Sequence, residues 1–106
     1  RMTEKKIAGK TITLDDKGFM EAPDQWDETV AEELAQDNGV EQLTEDHWKV
    51  LRFLREYHEE FGTPPILRKL CKSVGMDLKD IYMLFPDGPA DGAWKIAGLP
   101  KPPGCL

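Results

Sequence analysis

The sequence has few of the residues that support covalent or metal-based stability: two cysteines and two histidines in 106 residues. Small secreted domains are held by several disulfides, and a structural zinc site takes four ligands, so neither is expected. No run of apolar residues approaches the roughly 18 that a membrane-spanning helix needs. The opening RMTEKKIAGK also lacks the apolar stretch of a signal peptide. We therefore expect one cytoplasmic domain over residues 1–106 with reduced thiols and no metal.

Basic residues are scarce in the middle of the chain. Residues 15–60 hold 15 acidic and 4 basic residues, whereas residues 61–106 hold 6 basic and 4 acidic ones. Nucleic-acid-binding proteins usually present a basic face, so the net charge of −6 argues against that class. The acidic residues are interpreted as solvated faces of helices.

Periodicity predicts a mainly α-helical fold. Residues 5–20 alternate weakly and contain Gly9-Lys10, which predicts a β-hairpin with its turn there. Helical spacing over 27–97 predicts a small orthogonal bundle, and residues 98–106 form a C-terminal arm. Asp27 and Thr44 are expected as N-caps, and Asn38-Gly39 and Gly62 as helix ends. His47 and His58 lie three turns apart on one helix and are interpreted as packing or surface residues.

Two short helices follow Pro64-Pro65, with Pro65 expected in the first turn and Asp77 as the second cap. Together they predict an embedded helix-turn-helix, so a regulatory DNA-binding protein is one alternative function. Lys79 stands alone there against Asp77 and Asp80, whereas DNA affinity depends on several cations. The side chains expected to face inward are Ile66, Leu67, Leu70, Cys71 and Val74 from the first helix, and Leu78, Ile81 and Phe85 from the second. Cys71 is therefore interpreted as a structural thiol.

The chain closes on GLPKPPGCL. The prolines favour polyproline II, which rises about 3.1 Å per residue without internal hydrogen bonds. We expect Gly98 to act as a hinge, Gly104 to free the tip, and Cys105 to be carried out as a nucleophile. A thiolate needs nearby positive charge. The candidates are Lys95 and Lys101 in the arm region and Arg68 and Lys72, which are predicted to line a groove where the arm docks.

The tail residues carry a resemblance to a known family. LFPDGP (84–89), KIAGLPKP (95–102) and the next-to-last cysteine are similar to the DsrC/TusE family of sulfur-carrier proteins. DDKGF (15–19), the HW pair (47–48) and PPILRKL (64–70) also resemble that family. The resemblance implies a helical bundle with an N-terminal hairpin, a helix-turn-helix and a flexible arm. It also implies that Cys105 accepts sulfane sulfur as a persulfide without a cofactor, which makes the protein a sulfurtransferase component.

The resemblance also defines the open alternatives. One branch of the family partners dissimilatory sulfite reductase and has a second arm cysteine eleven residues earlier; here that position is Trp94. The other branch relays sulfur toward 2-thiouridine in tRNA with one cysteine. The implied partners are a donor sulfurtransferase or a DsrEFH/TusBCD-like complex, and an acceptor such as a tRNA thiolase, sulfite reductase or a heterodisulfide-reductase-like complex. A third reading is a non-carrier partner subunit of sulfite reductase.

Overall fold

The computed structural model describes residues 2–103. It is mostly helical with a single two-stranded antiparallel sheet over this range. A 3₁₀ turn at Pro23–Gln25 precedes the main helices, and a π-helical segment at Pro89–Trp94 leads into the arm. The regular elements are β1 (Thr3–Ile7), β2 (Lys10–Leu14), α1 (Glu28–Asp37), α2 (Glu45–Phe61), α3 (Leu67–Val74) and α4 (Leu78–Leu84).

The hairpin turns at Ala8-Gly9, one residue before the predicted Gly9-Lys10. Ile7 pairs with Lys10, and Ala8 and Gly9 have φ values of 51° and 81°. A two-residue turn with both φ values positive matches the right-handed twist of the flanking strands, so Lys10 is free to begin β2. Ile7 and Ile12 are buried, and Lys5 of β1 donates to Asp37 of α1 at 2.5 Å. The hairpin therefore lies against the first helix.

The predicted ends of α1 and α2 are confirmed. Asp27 accepts from the Val30 amide at 2.9 Å, and Asn38 follows the last residue of α1. Thr44 precedes α2 with a reciprocal capping box, and Gly62 ends it with φ of 74°. These are favourable solutions for the unpaired amides and carbonyls of helix ends.

His47 has the packing role predicted for it. Its Nδ1 accepts from the Thr44 amide at 3.0 Å, so the proton sits on Nε2, which donates to the Leu84 carbonyl at 2.8 Å. The ring also packs edge-on against Phe85 with centroids 5.0 Å apart. The His47 side chain thus caps the start of α2 and links it by a hydrogen bond to the end of α4.

The helix-turn-helix forms, with changes at its edges. Pro65 does not occupy the first turn, because Ile66 is the N-cap and α3 begins at Leu67. Ile66 is consequently extended and 70% exposed, and Leu78 at the start of α4 is 39% exposed, so both were wrongly predicted to face inward. Cys71 is half-buried against the core.

The core lies between the hairpin, the helices and the π-helical segment. Its centre is occupied by large fully buried side chains, so the arm base is part of the packed interior. No helix among the described residues is long and apolar enough to cross a membrane. The largest fully buried side chains include Trp94, Phe85, Ile12, Met20, Leu34, Leu51, Leu54, Leu70, Ile81, Ile96 and Leu99.

Candidate functional site: the base of the C-terminal arm

The predicted nucleophile Cys105 and the predicted tip Gly104 lie outside the described residues. The structure describes the arm from Gly98 to Pro103 and thereby defines where it leaves the body. Cys71, the other thiol, lies on α3 against the core. Among residues 2–103 no group of histidine, cysteine or carboxylate side chains is placed to hold a metal ion.

Trp94 binds the arm to the body. Its indole is 1% exposed, and its Nε1–H donates to the Pro100 carbonyl at 2.6 Å. The ring meets His58 of α2 edge-on, with centroids 5.7 Å apart and planes at 79°. The π-helical segment that ends at Trp94 therefore holds residue 100 directly beneath the long helix.

Trp26, which lies 70 residues before its acceptor in the sequence, also binds the arm base. Its Nε1–H donates to the Ile96 carbonyl at 2.9 Å. The guanidinium of Arg55 stacks over the Trp26 ring at 4.1 Å from the centroid. A tryptophan outside the regular helices is thus fixed between α2 and the arm base.

Arg55 adds a third attachment. Its Nη1 donates to the Ala97 carbonyl at 2.7 Å, and Nη2 donates to the Pro23 carbonyl at 3.1 Å. Burial lowers the pKa of the guanidinium below its ordinary value, while the nearby charge of Glu59 acts in the opposite direction. A half-buried cation is costly unless hydrogen-bonded, and here two main-chain carbonyls supply the bonds.

Gly98, the predicted hinge, is a packed turn in this structure. Its φ is 74°, and a Cβ built on it would lie 2.1 Å from Cδ1 of Trp26. Leu99 is buried behind it, and Pro102 is buried further along. Movement of the arm about Gly98 therefore requires Trp94 to release the Pro100 carbonyl and Leu99 to leave the core, whereas the bonds to residues 96 and 97 precede the hinge.

A shallow depression of about 490 Å³ adjoins the arm base. Its walls are acidic on the whole, with Arg55 as the one guanidinium among them. It places Leu99 of the arm beside the exposed side of α2. The lining residues are Pro23, Asp24, Arg55, Glu56, His58, Glu59 and Leu99.

The four predicted cations are not brought together. Lys95 is half-buried, with its Nζ 4.9 Å from the Phe19 ring centroid, and Lys101 is exposed. Arg68 and Lys72 line a separate depression of about 480 Å³ on α3. None of residues 98–103 lines that depression, so the described part of the arm docks on α2 and Trp26 instead. A role for these cations at Cys105 stays a prediction.

Sequence reasoning missed Trp26 and Arg55 as residues of the arm base. Arg55 is one of several cations on α2, and its partners lie 32 and 42 residues away. The available signal was weak: two tryptophans outside the predicted helix centres, each with an N–H that needs an acceptor when buried.

The comparison with protein families decides the assignment, since a model described as DsrC-like protein matches residues 6–106. This chain belongs to the DsrC-like family. It is 40% identical over 105 residues to the gamma subunit of dissimilatory-type sulfite reductase from Nitratidesulfovibrio vulgaris, a match that covers 99% of this chain and all of that one. It is 42% identical to sulfurtransferase TusE of Salmonella paratyphi A, with 92% and 95% of the two chains covered.

The fold of this DsrC-like protein is shared with solved members. The crystal structure of the oxidized gamma subunit of dissimilatory sulfite reductase, DsrC, from Archaeoglobus fulgidus matches with a TM-score of 0.88 and 44% identity. That match covers 98% of this chain and all of the other. The expected mainly helical fold with an N-terminal β-hairpin is therefore confirmed.

Proposed function

We propose that this DsrC-like protein carries sulfane sulfur as a persulfide on Cys105. The observation that supports the proposal most is the placement of a thiol beyond an arm base that is bound to the body at three main-chain carbonyls. The relatives named sulfurtransferase TusE and sulfite reductase gamma subunit support a role in sulfur relay. The globular body supplies recognition, and the arm supplies reach.

The chemistry is an exchange between sulfur atoms. The Cys105 thiolate attacks the outer sulfur of a donor persulfide, the donor's S–S bond breaks, and the donor leaves as a thiolate. Cys105 then holds the outer sulfur as a persulfide. An acceptor thiolate takes that sulfur by the same displacement, which regenerates the Cys105 thiolate. The net reaction moves one sulfur atom and needs no external oxidant or cofactor.

Trp94 bears on which kind of carrier this is. With tryptophan at position 94, residues 94 and 105 cannot form a disulfide or trisulfide within the arm. Cys71 is half-buried on α3 and is not part of the described arm base. The proposed carrier therefore works with one arm thiol and passes its sulfur to a partner protein. Donor and acceptor are proposed only as a persulfide-bearing sulfurtransferase and a thiol-bearing acceptor of sulfur metabolism or tRNA thiolation.

The DNA-binding alternative receives no support from α4. Its capping box uses both Asp77 and Asp80, whose carboxylates accept from each other's amides at 2.9 and 3.2 Å. Two carboxylates at the start of α4 repel phosphate. The Asp77 carboxylate also occupies the partial positive charge of the helix N-terminus that could otherwise attract an anion.

Intact-protein mass spectrometry tests the proposal. The protein is incubated with a persulfide-bearing sulfurtransferase, in wild-type form and as Cys105→Ser and Cys71→Ser. We expect wild type and Cys71→Ser to gain the mass of one sulfur atom and Cys105→Ser to gain none. Sulfur gain that survives in Cys105→Ser and is lost in Cys71→Ser would assign the carrier thiol to α3 instead. Full biological function in Cys105→Ser would favour the non-carrier subunit.

A further inference from the structure

The arm base is held by hydrogen bonds in which side chains from three separate parts of the chain donate to main-chain carbonyls. Trp26, Arg55 and Trp94 donate to the carbonyls of residues 96, 97 and 100, respectively, at distances of 2.6–2.9 Å. We refer to these three side chains as the clasp. A tail that only needed to hang free would leave those carbonyls to water, because exposed carbonyls are satisfied by solvent.

The clasp is also coupled internally, so that its members support one another. The Arg55 guanidinium stacks on Trp26, and a Cβ at Gly98 has no space because Trp26 occupies it. Trp94 is held in turn by His58 of α2. Contacts within one network are not independent, so loss of one member weakens the hold of the others.

We infer that Trp26, Arg55 and Trp94 are positioning residues for the sulfur-transfer reaction, a role that rests on the proposed function of Cys105. They hold residues 96–100 on the body and so fix the point from which the rest of the arm begins. The geometry also assigns a role to Trp94. Its indole attaches the arm base to the body through a non-covalent bond to the Pro100 carbonyl.

The clasp limits how far Cys105 can extend from the body, because the length of the free chain is fixed by covalent geometry. An extended chain spans at most about 3.3–3.6 Å per residue, so the five residues beyond Pro100, the last residue bound by the clasp, allow Cys105 a reach of about 17 Å. If Trp94 releases the Pro100 carbonyl and Gly98 becomes the hinge, the seven residues beyond Gly98 allow a reach of about 24 Å. A partner thiol near the surface is served with the clasp closed, whereas a deep channel requires it to open. Small persulfides should not distinguish the two states.

Two matched pairs of variants separate positioning from general stability. Trp94→Phe keeps an aromatic side chain but removes the N–H and part of the ring volume. Trp48→Phe is its control, since it makes the same change where no described hydrogen bond uses the indole. Arg55→Lys keeps the positive charge but loses the planar guanidinium, whose two nitrogens donate to two carbonyls. Arg52→Lys is its control, because Arg52 is exposed on the same helix. Melting temperatures of all four establish that each is folded.

The first readout is spectroscopic. Nitroxide labels are placed at Lys101→Cys on the arm and Lys49→Cys on α2, with both native cysteines changed to serine. Pulsed electron paramagnetic resonance should give a narrow distance distribution in the parent protein. Trp94→Phe and Arg55→Lys should broaden it, and Trp48→Phe and Arg52→Lys should not. Equal widths in all five proteins would overturn the inference.

The second readout is the sulfur-transfer rate to Cys105 from two donors, a persulfide-bearing sulfurtransferase and glutathione persulfide. Loss of one hydrogen bond should slow transfer from the protein donor roughly three- to tenfold and leave the small donor unchanged. Equal slowing with both donors, or no slowing with either, would overturn the positioning role. Failure of wild type to accept sulfur from either donor would refute the proposed function instead. The distances between the labels would still show whether the clasp holds the arm base in place.

Discussion

Replacement of Gly98 by alanine tests how firmly the arm base is packed. Gly98 has φ of 74°, and its missing Cβ direction is filled by Trp26, with Cδ1, Cγ and Cβ at 2.1, 2.5 and 2.8 Å from the ideal Cβ position. Two of these atoms belong to a ring that is itself held by Ile96 and Arg55. Trp26 therefore has to move before any side chain fits at residue 98.

The expected magnitude has two parts. A left-handed conformation costs an L-residue about 1–2 kcal/mol. Overpacking against Trp26 adds about 1–3 kcal/mol. We expect Gly98→Ala to lower the free energy of unfolding by about 2–5 kcal/mol. Gly75→Ala is the matched control, because Gly75 has nearly the same φ of 73° and no atom within 4 Å of its Cβ position, so it bears only the first part.

Urea denaturation followed by tryptophan fluorescence measures both variants against wild type. The difference between Gly98→Ala and Gly75→Ala isolates the packing of the arm base on Trp26. A difference close to zero would refute the account, because it would mean that Trp26 and the arm separate at little cost. An m-value that changes along with the midpoint would report an altered folded state and is checked in the same titration.

Three further changes address other parts of the molecule. Trp94→Cys should destabilise the fold by about 3–5 kcal/mol, since it removes a fully buried aromatic ring, and denaturation under reducing conditions measures this; a smaller loss than 1 kcal/mol would contradict the clasp. His47→Phe should lower the unfolding free energy by about 1–3 kcal/mol, because the Leu84 carbonyl loses its donor, and thermal unfolding checks it. The hydrogen bond from Lys10 lowers the pKa of Asp27 below 3.8, so its stabilising effect is present above that pH and is lost as the pH falls through the lowered pKa. Asp27→Asn should therefore flatten the acid limb of the stability profile; an unchanged slope between pH 5 and pH 2 would oppose this reasoning.

Local chemistry made the helix ends predictable from the sequence. Asp27, Thr44 and Asp77 precede their helices as expected because the capping interaction spans only three residues. The hairpin turn lies one residue earlier than predicted. Its two residues both have positive φ values, and Ala8 adopts this conformation, with φ of 51°, although it is not a glycine. Ile66 and Leu78 were assigned inward from periodicity, but Ile66 is the extended N-cap before α3, and Leu78 is the first residue of α4. Helical periodicity does not set the direction of a side chain that precedes the helix.

The candidate site divides in the same way. The arm and Cys105 could be proposed from the sequence because composition and motif are local features, and the role of Cys105 stays a prediction. The clasp was not, because the partners of Arg55 and Trp26 are 42 and 70 residues distant. The grouping of Arg68 and Lys72 with Cys105 rested on charge alone, and it stays a prediction because Cys105 lies outside the described residues.

The central claim, that Cys105 is a transient carrier of sulfur, is tested most directly by an isotope chase. The protein is loaded from a ³⁴S-labelled persulfide donor, freed of the donor, and digested so that the peptide containing Cys105 is weighed before and after a thiol-bearing acceptor is added. The account predicts a heavy sulfur atom on that peptide which disappears from it and appears on the acceptor. Heavy sulfur found on the Cys71 peptide, or retained on Cys105 after the acceptor is added, would contradict it.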